Sequence, residues 1–110
     1  MSELQRHTLA ALLTELEQEL ARATLWQARP PAPEAFESTL PFAADRMAFH
    51  EWLQWVLIAR FRALLDGRLP LPETCAVAPM AEESMKEQGA TAAPIIAVLV
   101  RIDALFRAPS

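Results

Sequence analysis

The chain of 110 residues contains one cysteine, two glycines, two histidines and one lysine. Each shortage excludes a class of protein. A single cysteine, Cys75, cannot build a disulfide framework. His7 and His50 stand far apart in the sequence, outside the familiar His/Cys zinc spacings, so no metal is expected. Gly67 and Gly89 sit in no glycine-rich loop that would cradle phosphates. Lys86 is the only lysine among ten basic residues, and fourteen acids bring the net charge to −4 and the pI near 5.1. A nucleic-acid partner held by charge is therefore disfavoured, although a local arginine cluster is compatible with that balance. Gly89–Val100 is the longest charge-free apolar stretch near the C-terminus, and it is too short for a membrane span of about 20 residues. The N-terminal residues carry no basic region followed by an apolar run, so no signal peptide is expected. With a free cysteine as well, the expected location is the cytoplasm. No cofactor motif is present.

What the sequence does have is apolar content. A hydrophobic fraction of 53% against 22% charged residues describes one globular domain over 1–110. Its period is helical, and no alternating run of strand length occurs. Ser2 and Gln5 fit a capping box. Leu9, Leu12, Leu13, Leu16, Leu20 and Ala23 share one face, which predicts a helix over 3–25. Pro30, Pro31, Pro33 and Pro41 then block a continuous helix. Phe36, Leu40 and Phe42 make this 27–47 stretch an ordered loop anchored by apolar side chains, either a structural strap or a functional loop. A second long helix is predicted over 48–66, apolar nearly all round, with Gly67 as its left-handed stop. His50, Glu51, Gln54 and Arg62 form its polar strip. Leu69-Pro70-Leu71-Pro72 is a stiff connector. A short helix opens at Pro79 and ends at Gly89, and a last one opens at Pro94 and carries Ile95, Leu99, Ile102 and Phe106 on one face. The expected fold is all-α, a bundle of about four helices with a long proline-containing loop between the first two.

Arg60 falls on the apolar side of the second long helix on an ideal wheel. A buried guanidinium needs a partner. Asp103, bordering the apolar face of the last helix, is the natural one. The alternatives are an anion site at Arg60 and a solvated side chain. Trp52 and Trp55 are helical neighbours, suited to core packing or to anchoring a partner. His50 and Glu51 do not face each other as an acid/base pair would. Cys75 reads as a small buried hydrophobe.

Ser38-Thr39-Leu40-Pro41-Phe42, Glu51-Trp52-Leu53-Gln54-Trp55-Val56, Arg60, Leu69-Pro70-Leu71-Pro72 and Ala76-Val77-Ala78-Pro79 occur in this order and span nearly the whole chain. The series resembles the YqcC-like family of small bacterial proteins. The resemblance implies a four-helix bundle and carries over no catalytic residue. Some members are encoded beside a tRNA pseudouridine synthase, which implies a link to RNA modification. Two departures stand out. Ala59 occupies a position where the family pattern has proline, a change expected to restore a helical hydrogen bond and straighten the helix. Met80 stands where an aromatic residue is expected.

Three function classes follow. The first is a non-enzymatic interaction module or adaptor that docks a protein through the proline loop and the aromatic helix, with Phe42, Trp52 and Trp55 as anchors. The second is an accessory protein of tRNA pseudouridine modification, with a pseudouridine synthase as partner and Arg46, Arg60, Arg62 and Arg68 as a basic cluster. The third is a small-ligand protein with an anion site at Arg60. The first asks least of the sequence.

Overall fold

The computed structural model describes residues 1–109. Helix α1 (Glu3–Arg22) opens on the capping box: Gln5 N donates to Ser2 Oγ at 3.1 Å, and Ser2 N donates to Gln5 Oε1 at 2.7 Å. Its leucine face is fully used, with Leu9, Leu12, Leu13, Leu16 and Leu20 all buried. The helix ends earlier than its apolar period suggests. Leu25 N donates to Leu20 O and Thr24 N donates to Ala21 O, a Schellman closure that puts Thr24 at φ 59°.

The proline segment is ordered but only partly anchored. Two 3₁₀ turns, Pro33–Glu37 and Pro41–Ala43, occupy it. Ala35 and Met47 are buried, and Phe42 packs against the core. Phe36 and Leu40, expected as anchors, are instead about half exposed, at 45% and 51%. In the turn that starts at Pro33 the small Ala35 faces inward, which turns its neighbour Phe36 to solvent.

A continuous helical path follows in three parts: α2 (Phe49–Trp52), a π-helical segment (Leu53–Ile58) and α3 (Ala59–Asp66). The wider π turn accommodates one more residue than an α turn, so α3 is rotated by about 100° from the ideal wheel. Gly67 is not the left-handed stop: its φ is −85°. Arg68 takes that conformation, at φ 54°, with Leu69 N donating to Leu64 O and Arg68 N to Leu65 O. Gly67 serves closeness instead, since a Cβ there would lie 3.2 Å from Ala63 O.

Helix α4 (Ala78–Ser84) starts around Pro79 as expected but stops before Gly89, which lies inside a 3₁₀ stretch, Lys86–Thr91. Helix α5 (Ala93–Arg107) buries Ile95, Val98, Leu99 and Ile102. Helix α1 lies between α3 and α5 and runs antiparallel to both. Gln5 Nε2 donates to Pro109 O while Arg101 pairs with Glu15, and Arg6 donates to Leu64 O and Leu69 O while Arg62 reaches Glu17. The result is an all-α bundle with one core drawn from α1, the α2–α3 path, α4 and α5. Among the described residues no helix is long and apolar enough to cross a membrane.

Candidate functional site

The expected Arg60–Asp103 pair does not form. Arg60 is exposed and, among the described residues, makes no hydrogen bond or ion pair. The π segment is the physical reason: the inward position that an ideal wheel assigns to residue 60 is filled by Phe61, which is 3% exposed and stacks on Phe106 at 5.4 Å. An exposed, isolated Arg60 is no built anion site either. Asp103 is buried at 3% and satisfied by main chain. It accepts from Val77 N at 3.0 Å and Ala78 N at 2.8 Å. A carboxylate on α5 thus supplies the N-terminal cap that α4 lacks in its own sequence. Cys75 lies beside it. Burial foremost, then the Asp103 carboxylate, pushes its thiol up to about 12, so it is an apolar filler rather than a nucleophile.

Arg62 holds two helices together. It donates to Ala10 O, to Thr14 Oγ1 at 3.0 Å and to Glu17 Oε1 at 2.9 Å on α1. Arg46 is engaged with Asp45 and with Glu34 O. The basic cluster of Arg46, Arg60, Arg62 and Arg68 therefore loses two members to internal contacts.

Gln54 is the residue that the polar-strip reading misplaces. It is 5% exposed, and its amide pairs with the main chain of Gln27: Gln27 N donates to Oε1 and Nε2 donates to Gln27 O, both at 2.8 Å. The Gln27 side chain accepts from Trp55 Nε1 at 2.9 Å and donates to Glu51 Oε2 at 3.1 Å. Trp55 is thereby a strap residue. Nothing local in the sequence marks Gln27, because its partners are about a quarter of the chain away.

Trp52, Phe42 and Phe49 form one aromatic cluster. Phe42 meets Trp52 edge-on at 4.8 Å, and Phe49 stacks on Trp52 at 5.9 Å. Phe42 and Ala43 both adopt positive φ, 60° and 50°, a strained pair that turns the ring toward this cluster. Beside it opens a cleft of about 360 Å³. Phe42, Met47 and Phe49 line one side, Met80 and Met85 the other, with His50, Ser84 and Gln88 among the polar edges. Met80, the departure from the expected aromatic, thus sits in the wall. The cleft joins flexible methionine to rigid aromatic surface, a composition suited to an apolar side chain from a partner. It brings together Phe42 from the loop and the aromatic helix. Of the side chains expected at the site, Phe42 lines it, while Trp52, Trp55, Arg60, Arg62 and Asp103 do not.

The other departure meets its expectation in part. Ala59 does donate the hydrogen bond that a proline would lack, to Val56 O, but the helix is not a plain α-helix there, since the π turn precedes it. The wide turn leaves room for a ring at this position. Among the described residues no group of three or more His, Cys, Asp or Glu is placed to hold a metal.

The family model that matches residues 8–105 is DUF446, described as tRNA pseudouridine synthase C. The uncharacterised protein YqcC of Escherichia coli K12 is 44% identical over 103 residues, covering 94% of this chain and 88% of that one. An uncharacterised protein of Haemophilus influenzae is 48% identical over 75 residues, 68% of this chain and 71% of that one. A protein of Pectobacterium carotovorum named tRNA pseudouridine synthase C is 48% identical over 62 residues, 56% of this chain but only 16% of that protein. The solution NMR structure of E. coli YqcC superposes with a TM-score of 0.83 at 40% identity, over 96% of this chain and 91% of that one. Sequence, helix order and packing agree: this chain belongs to the YqcC-like family.

Proposed function

We propose that this protein is a small non-enzymatic docking module whose partner is a tRNA pseudouridine synthase, and that the Phe42–Met80 cleft is its contact surface. One observation carries the reading. A segment like this chain makes up 16% of a Pectobacterium protein named tRNA pseudouridine synthase C. Two units on one polypeptide meet at a high effective concentration, and separate chains that keep an interface achieve the same result by affinity. The cleft supplies a means. Phe42, Met47, Phe49, Met80 and Met85 give it apolar surface, and the exposed acids Glu82, Glu83 and Glu87 lie on the same stretch of chain as Met80 and Met85, with Lys86 paired to Glu83. Enzymes that handle RNA carry positive surface, so a net-acidic stretch next to the cleft in sequence favours encounter with the enzyme over contact with its RNA.

The test mixes the purified protein with the synthase from the same organism and measures binding by titration calorimetry. Met80→Glu places a charge in a half-exposed wall and leaves the core intact. The expected result is a one-to-one complex that this substitution weakens at least tenfold. No complex at micromolar concentrations, or one indifferent to Met80→Glu, overturns the reading.

A further inference from the structure

A second pocket, of about 380 Å³, lies where the first turns of α1 meet the end of α3. Arg6, His7 and Arg68 line it, with Ala10 and Leu65 as its apolar floor and Glu3 as its one carboxylate. Three basic side chains converging in a chain of net charge −4 stand out from the rest of the molecule. Among the described residues none of the three takes part in an ion pair, as is also true of Arg29, Arg60 and Arg107, and what sets the three apart is that they line one pocket.

The end of a helix ordinarily presents carbonyls that repel anions. Here they are covered. Leu64 O accepts from Leu69 N and from Arg6 Nη2 at 3.2 Å, Leu65 O accepts from Arg68 N, and Leu69 O accepts from Arg6 Nη1 at 3.1 Å. These bonds fix the guanidinium of Arg6 in place and leave its other N–H groups unspent. Arg68 is held at positive φ by the same closure, where glycine would be unstrained. Thr24 closes α1 in the same way, so strain alone marks nothing. The distinguishing feature is that the strained residue at α3 is an arginine opening onto a pocket that already holds Arg6 and His7.

We infer that this pocket binds a phosphate group. Two guanidinium groups and an imidazole provide the forked and single donors that phosphate oxygens accept. A volume of about 380 Å³ admits a mononucleotide. The group is supplied either by the phosphorylated end of an RNA strand or by a free mononucleotide. This site shares no lining residue with the apolar cleft, so it stands or falls separately from the docking reading.

The test is a two-dimensional NMR titration of the full chain without any partner, using inorganic phosphate, with chloride at matched ionic strength as control. Saturable shifts confined to Arg6, His7, Ala10, Leu65 and Arg68 are expected with phosphate and not with chloride. Arg68→Gly separates function from fold. It relieves the backbone strain, so the melting temperature rises, while phosphate affinity falls at least fivefold. Arg6→Lys, which keeps the charge and loses the fork, weakens binding as well. A 5′-phosphorylated RNA trinucleotide that binds tenfold tighter than 5′-AMP assigns the source to RNA, and equal affinity assigns it to a free nucleotide. Shifts identical in chloride, or undiminished binding by Arg68→Gly, overturn the inference.

Discussion

Asp103 is the most consequential side chain of the fold that carries a charge. Its two oxygens hold the first N–H groups of α4, and among the described residues no other side chain caps the start of that helix. Asp103→Ala leaves two buried donors without partners and is expected to cost about 2–4 kcal/mol, read as a lowered midpoint in urea unfolding. Arg60→Met, by contrast, is expected to change stability by no more than about 0.5 kcal/mol, because the guanidinium is exposed and, among the described residues, makes no hydrogen bond or ion pair. Equal losses in the two variants would restore the ion pair. Cys75, with its thiol pushed up to about 12, is expected to resist iodoacetamide at pH 8 in the folded protein and to react once urea unfolds it. Asp103 itself was visible in the sequence as a misplaced acid. Its partner was not, since backbone N–H groups have no letter.

Elements divide into those written locally and those written by packing. Helix α1 is local: cap, leucine stripe and polar face lie within its own residues, and the structure follows them. The turn that ends it is not, because Thr24 adopts a conformation that its side chain disfavours. Thr24→Gly is expected to stabilise the fold by about 1 kcal/mol, a rise of several degrees in melting temperature. The π segment is equally hidden, since Leu53–Ile58 holds no glycine or proline to mark an irregular turn. One inserted residue moved Arg60 out and Phe61 in. The buried Gln54–Gln27 pairing belongs to the same segment, and it converts a residue of the polar strip into a tie for the chain after α1. The loop after it carries a pH signal. The Ser38 hydroxyl, foremost, holds the Asp45 carboxyl below its ordinary 3.8. A depressed carboxylate contributes stability above its unfolded value and loses it as pH falls through the folded one. Order in the 38–46 turn, followed by amide exchange at Leu40, is therefore expected to hold at pH 5 and to fade below about pH 4.

At the scale of the molecule, the bundle was legible and the surface was not. Helix number and order follow from the apolar period, while the cleft needs Phe42 and Met80, which lie 38 residues apart in sequence, to meet across it. The accessible surface of 6653 Å² exceeds the roughly 6,100 Å² usual for this mass. Phe36 and Leu40 of the proline loop, on the same segment as Phe42, are among the exposed large apolar side chains. Exposed apolar side chains on the loop that also supplies a wall of the cleft suit a protein that completes its burial on a partner. The decisive measurement is calorimetric titration of the protein into its tRNA pseudouridine synthase, with Met80→Glu alongside. A one-to-one complex lost on that substitution is the expected result; heats indistinguishable from dilution, with both proteins folded, would contradict the docking role.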